Sequence, residues 1–179
     1  GDQLTNISGM LSMMQHLTSA DVSKLNLTNV NDMGSMFMSD NQLTSVKGFN
    51  QNTTQNVVNF SNMFSGTGLT TVDMNDFGGQ KAQNLSGMFM SMPNLTTIAN
   101  LQAFGNRNKT NGVNQVTDLS NFVSSDPKLT SLNLSGFDNT QNLTSLASAF
   151  SGTGITDLDL SGLKTNNVTD MSSMLMNDT

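Results

Sequence analysis

Apolar residues along the 179-residue chain fall into a group that returns seven times with the pattern apolar-x-x-apolar-x-x-apolar-apolar. The copies are Leu4, Ile7, Met10, Leu11; Val30, Met33, Met36, Phe37; Val57, Phe60, Met63, Phe64; Ala82, Leu85, Met88, Phe89; Val116, Leu119, Phe122, Val123; Leu143, Leu146, Ala149, Phe150; and Val168, Met171, Met174, Leu175. Successive copies start 26, 27, 25, 34, 27 and 25 residues apart. Positions i, i+3, i+6 and i+7 share one side of a helix, so each copy predicts a short amphipathic helix of about two turns. A helix that short is unstable alone and must be held by packing. Asn, Thr and Asp near each start are candidate caps, and Ser65-Gly66-Thr67-Gly68 and Ser151-Gly152-Thr153-Gly154 read as helix exits.

A second pattern, apolar-Thr-x-apolar-x-apolar, follows the first six copies. It is clearest in Leu129 to Leu134 and Ile155 to Leu160, with earlier versions at Leu17 to Val22, Leu43 to Gly48, Leu69 to Met74 and Leu95 to Asn100, where Gly48 and Asn100 break the last apolar position. Alternation with period two predicts strands with one buried face, six in all. A repeat near 26 residues with one strand and one helix lies in the leucine-rich-repeat range, where a unit buries its apolar face only by stacking on its neighbours. The predicted fold class is α/β: a leucine-rich-repeat solenoid, with a parallel strand ladder on one side and short helices on the other. One domain would span residues 1–179 in about seven repeats, and the 34-residue spacing places an insertion near 105–114. The chain starts inside one repeat and stops at Met174 to Thr179 with no polar cap evident. The expectation is therefore a fragment of a larger protein, or a chain that associates end to end.

Composition narrows the function. Charged residues are only 11% of the chain, no Glu occurs, and polarity comes from Asn, Thr, Ser and Asp, which favour turns and caps. A net charge of −6 with a single Arg leaves little to neutralise phosphates, which argues against a nucleic-acid partner. The absence of Cys removes disulfides, thiolate metal sites and cysteine nucleophiles together. No apolar run approaches the roughly 20 residues a membrane span needs, and Gly1-Asp2-Gln3 has no signal-peptide character, so membrane insertion is not expected and any export signal would lie outside this sequence.

The run Asn167 to Met174, with strand segments such as Leu132 to Asp138 and Ile155 to Leu160, resembles the BspA-like leucine-rich repeats of bacterial surface proteins, especially the lactobacillal ones. The resemblance extends from Leu4 to Leu175 and rests on seven recurrences. It implies a large, exported, wall-attached parent protein at the bacterial cell surface, and adhesion to host tissue, mucus or matrix proteins. The partner it implies is a host mucin, an extracellular-matrix protein or a glycan. It supplies no catalytic motif and no ligand motif that maps onto numbered positions.

Candidate binding residues come from the outward strand positions. One column is Ser19, Ser45, Thr71, Thr97, Ser131 and Asp157; the next is Asp21, Lys47, Asp73, Ala99, Asn133 and Asp159. From these, Ser19, Asp21, Lys47, Thr71, Asp73, Asn133, Asp157 and Asp159 form the candidate face, against the plain alternative of a solvated sheet surface. Loss of Asp charge near pH 3.9 is expected to strengthen attachment to acidic mucins. The insertion adds Arg107 and Lys109 as a second candidate contact, against the alternative of a tolerated loop. The Thr row Thr18, Thr44, Thr70, Thr96, Thr130 and Thr156 fits strand propensity better than an ice-binding array, which Lys47 and the Asp residues would interrupt. The 14 Met residues fit core filling better than copper(I) ligation. Asp157-x-Asp159 and Asp73-x-x-Asp76 lack the spacing of a dedicated calcium loop, and His16 is the sole His. No phosphate loop, dinucleotide fingerprint or nucleophile elbow occurs. The sequence thus predicts a binding module without cofactor, metal or catalytic residues, or else a structural spacer that self-associates.

Overall fold

The computed structural model describes residues 3–177. Equivalent positions of all seven copies are joined by one run of parallel bridges, from Asn6 to Asp32, Asn59, Asn84, Asp118, Ser145 and Asp170. Each copy is therefore the same edge of one coil, and the coils stack in chain order.

These edges are not helical, in contrast to what the apolar spacing predicts. Among the described residues the one α-helix is α1, Leu101–Arg107, which lies in the insertion. In the second copy, the amides of Met33, Ser35, Phe37 and Ser39 donate to the carbonyls of Asn59, Ser61, Met63 and Ser65 in the next coil, at 2.7 to 3.0 Å. The amides between them stay inside their own coil. Gly34 donates to Asp32 Oδ1 at 2.9 Å, and Met36, Met38 and Asp40 donate to the carbonyls three residues back. Every backbone donor from Met33 to Asp40 is thereby satisfied, half within the coil and half across to the next.

A left-handed residue at every fourth position makes this alternation. Ser35 and Ser39 have φ of 56° and 65°, and the other copies place Gly9, Asn62, Gly87, Asn121, Ser148 and Ser173, then Met13, Gly66, Ser91, Ser125, Gly152 and Asn177, in the same conformation. An α-helix needs an unbroken right-handed run, so these residues convert it into consecutive turns. The side chain at the bridge position supports the first turn. Asn6, Asp32, Asn59, Asn84, Asp118, Ser145 and Asp170 each accept the amide two residues ahead, at 2.8 to 3.3 Å. Local bonds of this kind compete directly with helix formation.

Four of the six predicted strands form, each three residues long: β1 (Ser19–Asp21), β2 (Ser45–Lys47), β3 (Thr71–Asp73) and β4 (Thr97–Ala99). They make two separate parallel pairs, with Ser19 opposite Ser45 and Thr71 opposite Thr97, and β2 is not paired with β3. Leu129 to Leu134 and Ile155 to Leu160 have no strand. For Leu129 to Leu134 the reason lies in α1, which begins two residues after β4 and lies against the next coil. Asn133 Nδ2 donates to Gln102 Oε1 at 3.3 Å, and a Cβ on Gly136 would sit 2.2 Å from the Gln102 carbonyl oxygen. The fifth coil thus meets a helix where the earlier coils meet a strand.

Columns of Val, Met and Phe fill the stack. Phe37, Phe64 and Phe89 are stacked at 5.7 and 6.0 Å, and Phe122 continues the row edge-on at 5.4 Å. The fifth copy reads Phe122-Val123 where the copy before it reads Met88-Phe89, so its ring enters from the adjacent column and keeps the row of aromatic contacts intact.

The insertion is ordered. After α1 come β5 (Lys109–Thr110) and β6 (Val113–Asn114), an antiparallel hairpin around Asn111-Gly112. Both turn residues have positive φ, 51° and 78°, as a two-residue hairpin turn of this type demands.

Candidate functional site

Ser19, Asp21, Lys47, Thr71 and Asp73 lie on β1, β2 and β3 with exposed side chains, as the alternation predicts. Asn133, Asp157 and Asp159 are also exposed, but on irregular segments. Asp21 and Lys47 are cross-strand partners at 3.5 Å, an exposed pair of the kind that contributes little to stability.

Most of the acidic column has a structural task. Asp21, Asp73, Asn133 and Asp159 accept the amides of Ser23, Asn75, Ser135 and Ser161 at 2.9 to 3.0 Å, so each caps the turn that ends its strand position. Asp73 Oδ1 also accepts Asn100 Nδ2 of the next coil at 2.8 Å. Hydrogen bonds from Ser23, and more weakly the charge of Lys47, hold the Asp21 carboxyl below its ordinary range; Ser161 does the same for Asp159. Ser19, Thr71 and Asp157 carry no such bond and present their polar groups to solvent.

Between β2 and β3 the sheet opens into a cleft of about 220 Å³, which the sequence patterns did not reveal. Its floor is aromatic: Phe49, just after the Gly48 that breaks the strand pattern, sits 5.0 Å from Phe77 and 6.3 Å from Phe37. Thr44, Ser45, Thr71, Asp73 and Asp76 supply polar groups around it. Burial, and secondarily the charge of Asp73, raises the Asp76 carboxyl above its ordinary range. The only sequence signal for this cleft was the interruption at Gly48-Phe49.

Arg107 is not an available contact. Its Nε donates to the Gly78 carbonyl at 2.8 Å, Nη1 to Asn75 Oδ1 at 3.2 Å, and Nη2 to the Met74 and Phe77 carbonyls at 3.0 and 2.8 Å. The guanidinium thus ties the 74–78 turn to the end of α1. Lys109 pairs with Asp138 and donates to Asn106 Oδ1 at 3.2 Å, which leaves its ammonium half-buried. Sequence reasoning took both for surface charges because their acceptors, mainly backbone carbonyls for Arg107, carry no sequence signature.

Two buried carboxylates also escaped the sequence reading. Asp40 Oδ1 accepts the Met14 amide and Asp126 Oδ1 accepts the Met92 amide, both at 2.8 Å, while the second oxygen of each has no partner. Burial pushes the Asp126 carboxyl up to about 8 and raises Asp40 as well.

These features define a tandem array of stacked coils, bearing a polar strand face and one aromatic-floored cleft. The chain belongs to the family described as "Mycoplasma protein of unknown function, DUF285", whose model matches residues 5–110 and again 96–179. The two matches overlap at α1 and the start of the hairpin, with the first four copies in one and the last three in the other. No curated protein and no solved structure matches the chain. No helix among the described residues is long and apolar enough to cross a membrane.

Proposed function

We propose that the chain is a leucine-rich-repeat solenoid of the BspA-like, lactobacillal type, and serves as a non-enzymatic adhesion module at the bacterial cell surface. Its partner is a host mucin, matrix protein or glycan, and it uses no cofactor. The observation that carries this reading is the cleft between β2 and β3. An aromatic floor beside Thr, Ser and Asp groups suits the apolar face and hydroxyls of a sugar ring, and the side-chain oxygens around its rim give orientation. The net charge of −6 supports a partner other than nucleic acid.

Because Asp73, Asn133 and Asp159 are turn caps, replacing them would mix loss of binding with loss of fold. Thr71 and Ser45 are the better probes, since both line the cleft with exposed side chains. The test is binding of the purified chain, Thr71→Lys and Ser45→Lys to mucins, matrix proteins and a glycan array, at neutral and acidic pH. The reading expects a ligand whose affinity falls about tenfold or more in both variants. A ligand bound equally well by both would remove the cleft from the site. Attachment to acidic mucins should strengthen on acidification, at lower pH than free Asp would give because Asp21 and Asp159 are held below their ordinary range.

A second reading, a structural spacer, is favoured by the turn caps themselves: four of the outward polar residues serve the fold. It expects no ligand in the same screen.

A further inference from the structure

Alternation along a strand decides which backbone groups face the cleft. In a parallel ladder the N–H and C=O of one residue point to the same neighbouring strand, and those of the next residue point the other way. The Lys47 carbonyl takes the Val22 amide of the first coil, so Lys47 and Ser45 face β1 and Val46 faces β3. The Thr70 carbonyl takes the Thr96 amide of the fourth coil, so Thr70 and Val72 face β4, while Thr71 and Asp73 face β2. Between β2 and β3, however, no backbone hydrogen bond joins residues 44–48 to 70–74 among the described residues. The N–H and C=O of Val46 on one wall, and those of Thr71 with the Asp73 N–H on the other, therefore open onto the cleft without a protein partner.

The base of the cleft is apolar. Phe49, Phe64 and Phe77 line it, with the Phe77 ring 5.0 Å from Phe49 and 6.1 Å from Phe64. At about 220 Å³ it lies below the roughly 300 Å³ where sites for drug-sized ligands begin, so it admits one sugar residue or a substituent of one. An acetamido group meets all of these features. Its trans N–H and C=O point in opposite directions, as those of a strand's peptide unit do, so one amide reaches an acceptor on one wall and a donor on the other. Its methyl group is left for the rings below. A hydroxyl brings no methyl group, and an ammonium only donates, which leaves the amides of both walls unmet. Nor does Asp73 call for a cation: its Oδ1 accepts from Asn75 and Asn100, and the positive charge of Arg107 acts on it.

We infer that the cleft between β2 and β3 recognises the acetamido group of an N-acetylhexosamine, seated as a peptide unit bridging Val46 and Thr71. The inference rests on the reading of the cleft as a sugar site and names the sugar. The Val46 carbonyl accepts the acetamido N–H, the Thr71 or Asp73 amide donates to its carbonyl, and Thr44, Ser45 and Asp76 at the rim are left for the ring hydroxyls. Selectivity follows from the same groups, because a sugar without the acetamido leaves the backbone donors and acceptors of both walls unpaired beneath it.

The test is NMR titration of the labelled 179-residue chain with N-acetylglucosamine, N-acetylgalactosamine, glucose, galactose and glucosamine, reading the amide shifts of Val46, Thr71 and Asp73. At least one N-acetylated sugar should move those amides and bind about tenfold or more tighter than its parent sugar and than glucosamine. Thr71→Lys runs a long side chain across the mouth of the cleft and should remove that preference. Ser45→Lys repeats the test from the opposite strand, with unfolding curves to show that both variants are folded. Parent sugars that move the same amides with equal affinity would keep the sugar site but overturn the acetamido inference, and so would tighter binding of glucosamine. No shift at those amides with any of the sugars would overturn the sugar site itself, and the inference with it. An N-acetyl preference that persists in both folded variants would place recognition elsewhere and overturn the inference as well.

Discussion

Replacing Asp126 by Asn should make the fold less sensitive to pH and more stable at neutral pH. Asp126 is wholly buried, with one oxygen on the Met92 amide and the other unpartnered, and its carboxyl titrates at about 8 instead of the ordinary 3.8. The folded state therefore holds a proton that the unfolded chain has released anywhere between those two values. Stability must fall as pH rises through that window, and level off once the folded carboxyl is also ionised. A gap of about four pH units is worth roughly 5 kcal/mol in total, of which about 4 kcal/mol is already lost at pH 7. For a chain of this length that corresponds to a melting temperature about 10 °C lower at pH 7 than near pH 4.5. Asparagine keeps the oxygen that accepts the Met92 amide and cannot ionise. Melting curves of wild type and Asp126→Asn from pH 4.5 to 8.5 should diverge steadily, with the variant flatter and higher at the alkaline end. Asp40 contributes a residual slope of the same sign in the variant, because burial raises it too. Parallel curves for the two proteins, or a wild type that gains stability from pH 5 to 8, would refute the assignment of a buried neutral Asp126.

Three other perturbations follow from the packing. Arg107→Ala removes four hydrogen bonds from the 74–78 turn and should cost roughly 2 to 4 kcal/mol, with faster amide exchange confined first to that turn. Gly136→Ala drives a methyl group to 2.2 Å from the Gln102 carbonyl oxygen, so a urea titration should show a loss of about 2 kcal/mol or more as α1 is pushed off the fifth coil. Asn84→Ala removes the acceptor for the Ser86 amide in the middle of the ladder, with an expected loss of about 1 kcal/mol; Asn84→Asp should retain most of the stability, since Asp32 and Asp118 hold the same place in other coils.

The register of the stack was legible because the core columns are apolar and nearly evenly spaced. Every one of the seven copies read from the sequence is an equivalent edge of a coil in the structure. Their backbone was not legible, because residues at i, i+3, i+6 and i+7 face one side in a helix and also in a chain of consecutive turns. The left-handed positions would have settled the choice had they all been Gly, but Ser35, Asn62, Asn121, Ser148 and Ser173 hold that conformation without announcing it. The caps were present in the sequence as Asp21-Val22-Ser23, Asp73-Met74-Asn75, Asn133-Leu134-Ser135 and Asp159-Leu160-Ser161, a spacing of two that fits a side-chain-capped turn as well as an outward strand position. Asn111-Gly112 likewise signalled the hairpin within the insertion. What no local pattern could supply was long-range: the carbonyl cage around Arg107, the burial of Asp40 and Asp126, and the opening between β2 and β3.

The direction of the coil-to-coil hydrogen bonds underlies the folded array, and scalar couplings across hydrogen bonds read it directly. In uniformly labelled protein the Phe37 amide nitrogen should couple to the Met63 carbonyl carbon, and Phe64 to Met88. Coupling of Phe37 to Met33 instead would mean an α-helical repeat and would contradict the stacked-turn account.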